Sequence, residues 1–152
     1  MHIVLFEPEI PSNTGNISRT CAVTGSHLHL IQPLGFSISD RHLKRAGLDY
    51  WDRLSLSVHK NFEDFMAANP GARMFYFTTK AKERYTAPRY EENDYLLFGP
   101  ETRGLPQEIL ENGLGLPVRI PMGREIRSLN LSNTVAIGLY EALRQMNFPD
   151  LS

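Results

Sequence analysis

The sequence predicts an α/β domain built on a mainly parallel sheet, and three observations carry that prediction. Short apolar runs such as His2–Phe6, Met74–Phe77 and Tyr95–Phe98 alternate along the chain with helical patterns. Glycine, proline and asparagine close nearly every run. The last long segment, with Leu131, Val135, Leu139 and Leu143 at a spacing of four, is the most apolar helix of the chain. A chain of 152 residues without linker, repeat or low-complexity stretch reads as one domain over 1–152. At that length it can bury roughly two thirds of its unfolded surface.

The elements follow in order. His2–Phe6 is a short buried strand, broken by Glu7-Pro8-Glu9-Ile10-Pro11. Asn13 to Thr20 opens a helix that turns Ile17, Cys21 and Val23 or Ala22 inward and stops at Gly25. His27–Ile31 is a second strand, ended by Gln32-Pro33. Ser39-Asp40 can cap a short basic helix through Arg41, Lys44 and Arg45 to Gly47. Leu54–Val58 alternates apolar residues with serine, a half-exposed strand. Asn61 caps a helix carrying Phe62, Phe65 and Met66, which Asn69-Pro70-Gly71 ends. Met74–Phe77 is an aromatic strand, and Thr78 to Asp94 is a long polar loop with room for one helical turn. Tyr95–Phe98 is a strand ending in Gly99-Pro100; Pro106–Glu111 is a short helix with proline at its start; Val118–Ile120 is a last short strand. The pattern does not reveal the strand order.

Composition narrows the function. Apolar residues make up 41% and charged residues 22%, as in soluble globular proteins. No apolar run approaches a membrane span, and His2–Phe6 is too short for a signal peptide, so no membrane partner is expected. The single Cys21 excludes an internal disulfide and fits a reducing cytoplasm. A net charge of −1 is far from the strongly basic balance of a nonspecific nucleic-acid coat, so any nucleic-acid contact must be a local patch.

Open parallel sheets bind ligands beyond the carboxyl ends of their strands. Three such ends stand out: Phe77-Thr78-Thr79, Phe98-Gly99-Pro100-Glu101 and Ile120-Pro121-Met122. If they converge they form one pocket, with Ser128-Leu129-Asn130 as its lid. The start of the last helix adds unpaired backbone N–H groups beside that polar loop. Other α/β sites are disfavoured. There is no G-x-G-x-x-G, no Walker loop and no G-x-S-x-G, and the second strand ends in Gln32 rather than an acid. The histidines His2, His27, His29, His42 and His59 have no metal-ligand spacing, so no metal is expected. Cys21 has no histidine near it in sequence and reads as core.

Three blocks remain: Asn13-x-x-Asn16-x-x-Arg19-Thr20, then Phe98 to Pro106 (FGPETRGLP), then Ile120-Pro121-Met122 through Ser128-Leu129-Asn130-Leu131-Ser132-Asn133. In this order they resemble the three motifs of the SPOUT superfamily of RNA methyltransferases. The likeness runs from Met1 to the last helix and is greatest to the small tRNA wobble-ribose 2′-O-methyltransferases. Glu7-Pro8-Glu9-Ile10-Pro11 and Arg45 to Tyr50 share it. The resemblance implies a deep trefoil knot at the C-terminal end, which physical reasoning alone argues against because knots are nearly absent from proteins. It implies S-adenosyl-L-methionine as cofactor, tRNA (a leucine tRNA in particular) as substrate, and a homodimer. It assigns cofactor contact to Phe77, Thr78, Gly99, Glu101, Gly104, Ile120, Met122, Ser128, Leu129 and Asn130. It assigns catalysis to Arg19, Asn13, Glu101, Ser128 and Asn130, with Arg19 on the substrate ribose or phosphate.

Each assignment has a plainer counterpart. Asn13 or Asn16 can cap the first helix, and Asn130 or Ser132 the last. Glu101 and Arg103 can form a surface turn pair worth about 1 kcal/mol or less. Arg19 is the least easily explained away, because its helix neighbours point inward and a buried, unpaired guanidinium is costly. Arg41, Lys44, Arg45, Lys80, Lys82, Arg84 and Arg127 are candidate tRNA contacts, with Trp51 or Tyr85 for stacking. Val135, Ile137, Leu139, Tyr140 and Leu143 cover more than one helix face, as a core helix or a dimer contact would. The same chemistry on another tRNA position or on ribosomal RNA is the nearest alternative. A non-enzymatic RNA-binding module is the alternative of a different class.

Overall fold

The computed structural model describes residues 1–39, 41, 43, 45 and 48–152. The expected cap at Asp40, the helix end at Gly47 and the candidate contact Lys44 lie outside the described residues. Six strands form one sheet: β1 (His2–Phe6), β2 (His27–Ile31), β3 (Ser55–His59), β4 (Met74–Phe77), β5 (Tyr95–Phe98) and β6 (Gly115–Val118). Every pairing is parallel, in the order β3-β2-β1-β5-β4-β6. Among the described residues the helices with both ends in view are α1 (Pro11–Thr24), α2 (Phe62–Ala68), α3 (Gln107–Leu110) and α4 (Leu131–Gln145), with a 3-10 turn at Leu48–Arg53; Arg41, Leu43 and Arg45 are helical too, as the expected basic helix requires.

Central strands of a covered parallel sheet are buried on both faces, which is why β4 and β5, and β1 after His2, read as continuous apolar runs, while β2 alternates histidine with leucine. On one face Ile3, Leu5, Leu28, Leu30, Leu96 and Phe98 pack with Ile17 and Cys21 of α1 and with Val135, Leu139 and Leu143 of α4. On the other, Val4, Phe6, Tyr76 and Leu97 pack with Phe65 of α2 and Ile109 of α3. The result is a helix–sheet–helix sandwich.

Three sequence expectations are corrected or narrowed. The last strand is Gly115–Val118 rather than Val118–Ile120. Its ladder with β4 runs from Met74↔Gly115 to Phe77↔Val118, and a Cβ on Gly115 would lie 2.5 Å from the Tyr76 ring, so glycine lets the strand come this close. Of Val23 and Ala22, the alternatives for the inward position, Val23 is 51% exposed and Ala22 is half-buried. Helix α1 starts earlier, with Pro11 in its first turn and Ile10 as N-cap, so neither Asn13 nor Asn16 caps it. The cap at Asn61 is as expected, its side-chain oxygen accepting the Asp64 N–H at 2.8 Å.

Candidate active site

The carboxyl ends of β4 and β5 and the chain just past β6 converge as the strand-end argument requires. One cavity of about 300 Å³ is lined there by Phe77, Thr78, Gly99, Glu101, Gly104, Ile120, Met122, Ser128 and Leu129. These are all the expected cofactor residues except Asn130. Phe98, Leu105 and Leu131 complete an apolar wall, while Lys80, Arg127 and Thr134 add polar groups. Phe77 and Phe98 stack across the floor with ring centroids 4.6 Å apart.

Local chemistry shapes the rim. Gly99 has no room for a side chain, because a Cβ would lie 2.3 Å from the Gly104 carbonyl carbon and the Leu105 nitrogen. The loop folds back on itself, Gly104 taking φ +68° and donating its N–H to the Pro100 carbonyl at 3.0 Å. On the opposite side, residues 123–130 are all exposed, including Ile126 at 62%.

Glu101 is a hub rather than a surface turn residue. Its carboxylate accepts the Glu9 N–H at 2.8 Å, the Ile10 N–H at 3.1 Å and the Asn13 amide at 3.4 Å. It thereby satisfies the N–H groups of Ile10, the N-cap of α1, and of Glu9 just before it. Two further contacts lock the same loops: Thr102 donates to the Glu9 carboxylate at 2.8 Å, and Arg103 pairs with Glu7 rather than Glu101. Glu7 itself sits at φ +47°.

Asn13 is buried and accepts the Asn130 amide at 3.0 Å. The Asn130 side-chain oxygen accepts the Ser132 and Asn133 N–H groups at 2.9 and 3.3 Å, capping α4. The cap reading of Asn130 is therefore correct, and its side chain is committed there and to Asn13 rather than to the cavity wall. The same bonds occupy two of the helix-start donors, which weakens the anion-site expectation. Glu101, Asn13 and Asn130 form one hydrogen-bonded chain from the β5 loop to the last helix.

Arg19 departs from expectation. It is exposed, and its guanidinium lies 4.8 Å from the Tyr50 ring centroid and donates to the Tyr50 hydroxyl at 3.3 Å. The burial penalty invoked for it does not apply; helix rotation turns Ile17 and Cys21 inward and Arg19 outward. Tyr50 closes the Arg45 to Tyr50 block, but its contact with Arg19 spans 31 residues and has no local signature. Arg41, Arg45, Lys82, Arg84 and Arg127 are exposed, as expected of solvated cations, while Trp51 and Tyr85 are half-buried. Cys21 is fully buried and its thiol is pushed up to about 12 by that burial, in keeping with a core role.

The histidines are the largest surprise. Strand pairing gathers His2, His27 and His29 at the far end of the sheet from this cavity. Their separation in sequence concealed the cluster.

Comparison with known proteins supplies the family. The profile described as the SpoU rRNA Methylase family matches residues 1–140. A protein of Methylovorus glucosotrophus (strain SIP3-4) named tRNA (cytidine(34)-2′-O)-methyltransferase is 54% identical over 147 residues, covering 96% of each chain. A solved structure described as giving insight into the 2-OH methylation of C/U34 on tRNA superimposes with a TM-score of 0.92 at 50% identity, covering 96% of this chain and 95% of that one. An AdoMet-bound rRNA methyltransferase from Sinorhizobium meliloti superimposes with a TM-score of 0.86 at 26% identity, over 99% of this chain and 57% of that one.

Proposed function

The chain belongs to the SpoU methylase family, and from that premise we propose that it is a tRNA (cytidine(34)/uridine(34)-2′-O)-methyltransferase using S-adenosyl-L-methionine as methyl donor. One observation carries the reading: the loops picked out by the second and third motifs line a single cavity, and the first motif is tied to both through Asn13. The cavity offers an aromatic and aliphatic wall with a polar rim, which suits a nucleoside carrying a charged amino-acid tail. Bound there, the cofactor supplies an electrophilic sulfonium methyl group.

Phe77, Thr78, Gly99, Gly104, Ile120, Met122 and Leu129 are the residues that would hold the cofactor, with Ser128 on the open side. Glu101, Asn13 and Asn130 act by holding three loops in register, so that substrate and cofactor would meet in a fixed geometry. Arg19 is the residue for the nucleotide. A guanidinium stays protonated at any working pH, so its role is to clamp a phosphate and polarise the 2′-hydroxyl rather than to remove its proton. Its exposed place above Tyr50 leaves it free to meet a polyanion.

The remaining features rest on the family. Residues 1–152 act as one SPOUT domain, and the passage of 120–130 against the 98–105 loop supports the family's trefoil knot. Exposed Val23 on α1 and Ile137 and Tyr140 on α4, two helices that pack together, support a homodimer in which Arg19 faces the partner's cofactor. The site of action is the cytoplasm, supported by the free buried Cys21 and the tRNA substrate.

Incubation with S-adenosylmethionine and unmodified tRNA, followed by nucleoside analysis, is expected to give a 2′-O-methylated pyrimidine at the wobble position named for the relatives. Product at another tRNA position or in ribosomal RNA would change the substrate. Cofactor binding without product on any RNA would leave an RNA-binding module. Arg19→Ala is expected to abolish transfer with cofactor binding intact; retained activity would remove Arg19 from the mechanism.

A further inference from the structure

On the sheet face covered by α2, His2, His27 and His29 are brought together toward the amino ends of β1 and β2, and His29 links them to His59 at the end of β3. His2 and His27 face each other in register as the first residues of their strands, and His29 follows two positions on. His2 Nδ1 lies 3.0 Å from His29 Nε2, and His29 Nδ1 lies 3.0 Å from His59 Nε2. One ring nitrogen from each of His2, His27 and His29 lies within 4.8 Å of the other two. The methyl-transfer cavity is at the opposite, carboxyl end of the same strands.

We propose that His2, His27 and His29 form a binding site for a divalent late transition-metal ion of the zinc class, separate from the methyl-transfer cavity. Imidazole binds zinc at about 2.0–2.1 Å, so nitrogens on a tetrahedral ion stand roughly 3.3–3.4 Å apart. The His2–His29 spacing is close to that already, and the third nitrogen needs a movement on the order of 1 Å. The donor set is all imidazole, which selects zinc, copper, nickel or cobalt over magnesium or calcium.

The surroundings suit ligation. Metal binding requires the neutral imidazole. Burial drives His29 down to about 3 and His2 to about 4, and it lowers His27 as well, so the lone pairs are available at neutral pH. Ligating histidines are normally held by a hydrogen bond from their other nitrogen. With Nε2 on the ion, His29 can donate its Nδ1–H to His59. Whichever nitrogen His27 turns to the ion, the other keeps a serine hydroxyl: Ser55 lies 2.7 Å from Nδ1 and Ser57 2.8 Å from Nε2. Phe65 stands edge-on to His29 and His59, and Tyr95 stacks on His2 at 4.1 Å, giving the site an apolar enclosure. His29 is 3% exposed, whereas His2 and His27 are half-buried and leave a path for the ion and for a fourth ligand.

The test uses untagged, chelator-treated full-length protein at neutral pH, titrated with Co(II) and then Zn(II) by absorbance and calorimetry. One ion per chain is expected, with the visible bands of tetrahedral Co(II) disappearing as zinc displaces it. His2→Gln and His27→Gln are each expected to abolish that binding, with circular dichroism and S-adenosylmethionine affinity unchanged. His59→Gln is expected to weaken it about 10–100-fold, as loss of an orienting partner does. In the wild type, zinc is expected to shift the imidazole NMR signals of His2, His27 and His29, a readout independent of how the variants fold. No binding at micromolar metal would overturn the proposal and leave His2–His29–His59 as a self-satisfied hydrogen-bond chain. Binding unaltered by both glutamine variants, or zinc shifts confined to other histidines, would also overturn it.

Discussion

Glu101→Gln isolates the hub that ties the candidate site together. The substitution keeps shape and volume but replaces one carboxylate oxygen with an NH₂ group. In the structure both oxygens face donors, Oε2 the Glu9 N–H at 2.8 Å and Oε1 the Ile10 N–H at 3.1 Å and the Asn13 amide at 3.4 Å. Either amide orientation sets a donor against a donor. The variant loses at least one of these three charge-assisted bonds, worth about 1.5–3 kcal/mol, and weakens those that remain to neutral strength. Because the Ile10 contact is exposed to solvent, the lower part of that range applies, about 2 kcal/mol. For a chain of this size that corresponds to a fall in Tm of about 4–8 °C. Differential scanning calorimetry measures the fall, and calorimetric titration with S-adenosylmethionine tests whether the loosened loops also weaken the cavity. An unchanged Tm together with unchanged cofactor affinity would refute the claim that this carboxylate holds the loops in register.

Three further outcomes follow from the same geometry. Gly99→Ala puts a methyl group 2.3 Å from the Gly104 and Leu105 backbone, so the loop must open; cofactor binding measured by titration should be lost while the sheet's circular dichroism remains. Asn130→Ala removes the α4 cap and the bond to Asn13 and should cost about 1–2 kcal/mol in urea unfolding. The histidine contribution to stability should be complete above about pH 6.5 and be lost progressively below it. His29 and His2 resist protonation in the folded protein, down to about 3 and 4 because of burial, whereas the unfolded chain takes up protons near pH 6.5. The loss is at most about 1.4 kcal/mol per pH unit for each histidine. Thermal unfolding from pH 7 to 5 in the presence of chelator checks it, and a flat profile would contradict the burial of His29.

The amino-acid sequence by itself determined the strands that form the centre of the sheet. β1, β2, β4 and β5 were legible to the residue: β1, β4 and β5 as the apolar runs that strands covered on both faces need, β2 by its alternation of histidine and leucine, with glycine, proline or a polar turn ending each one. The same local chemistry marked the cavity. Phe98-Gly99-Pro100-Glu101 reads as a tight strand-end turn, and Leu131, Val135, Leu139 and Leu143 at a spacing of four read as one apolar helix face, which is buried. What the tertiary structure decided was everything that depends on which segments meet. The strand order, the place of β6 in a ladder that admits Gly115-Leu116-Pro117, and the outward rotation of Arg19 onto Tyr50 are of this kind. So are the reach of Glu101 to Glu9 and Ile10 and the meeting of His2 with His27 and His29. A local pattern states which face of an element is apolar, but register and pairing are set by contacts between residues tens of positions apart. Those contacts are chosen by the packing of the whole chain, which is why the pocket was readable from its turns and the histidine cluster was not.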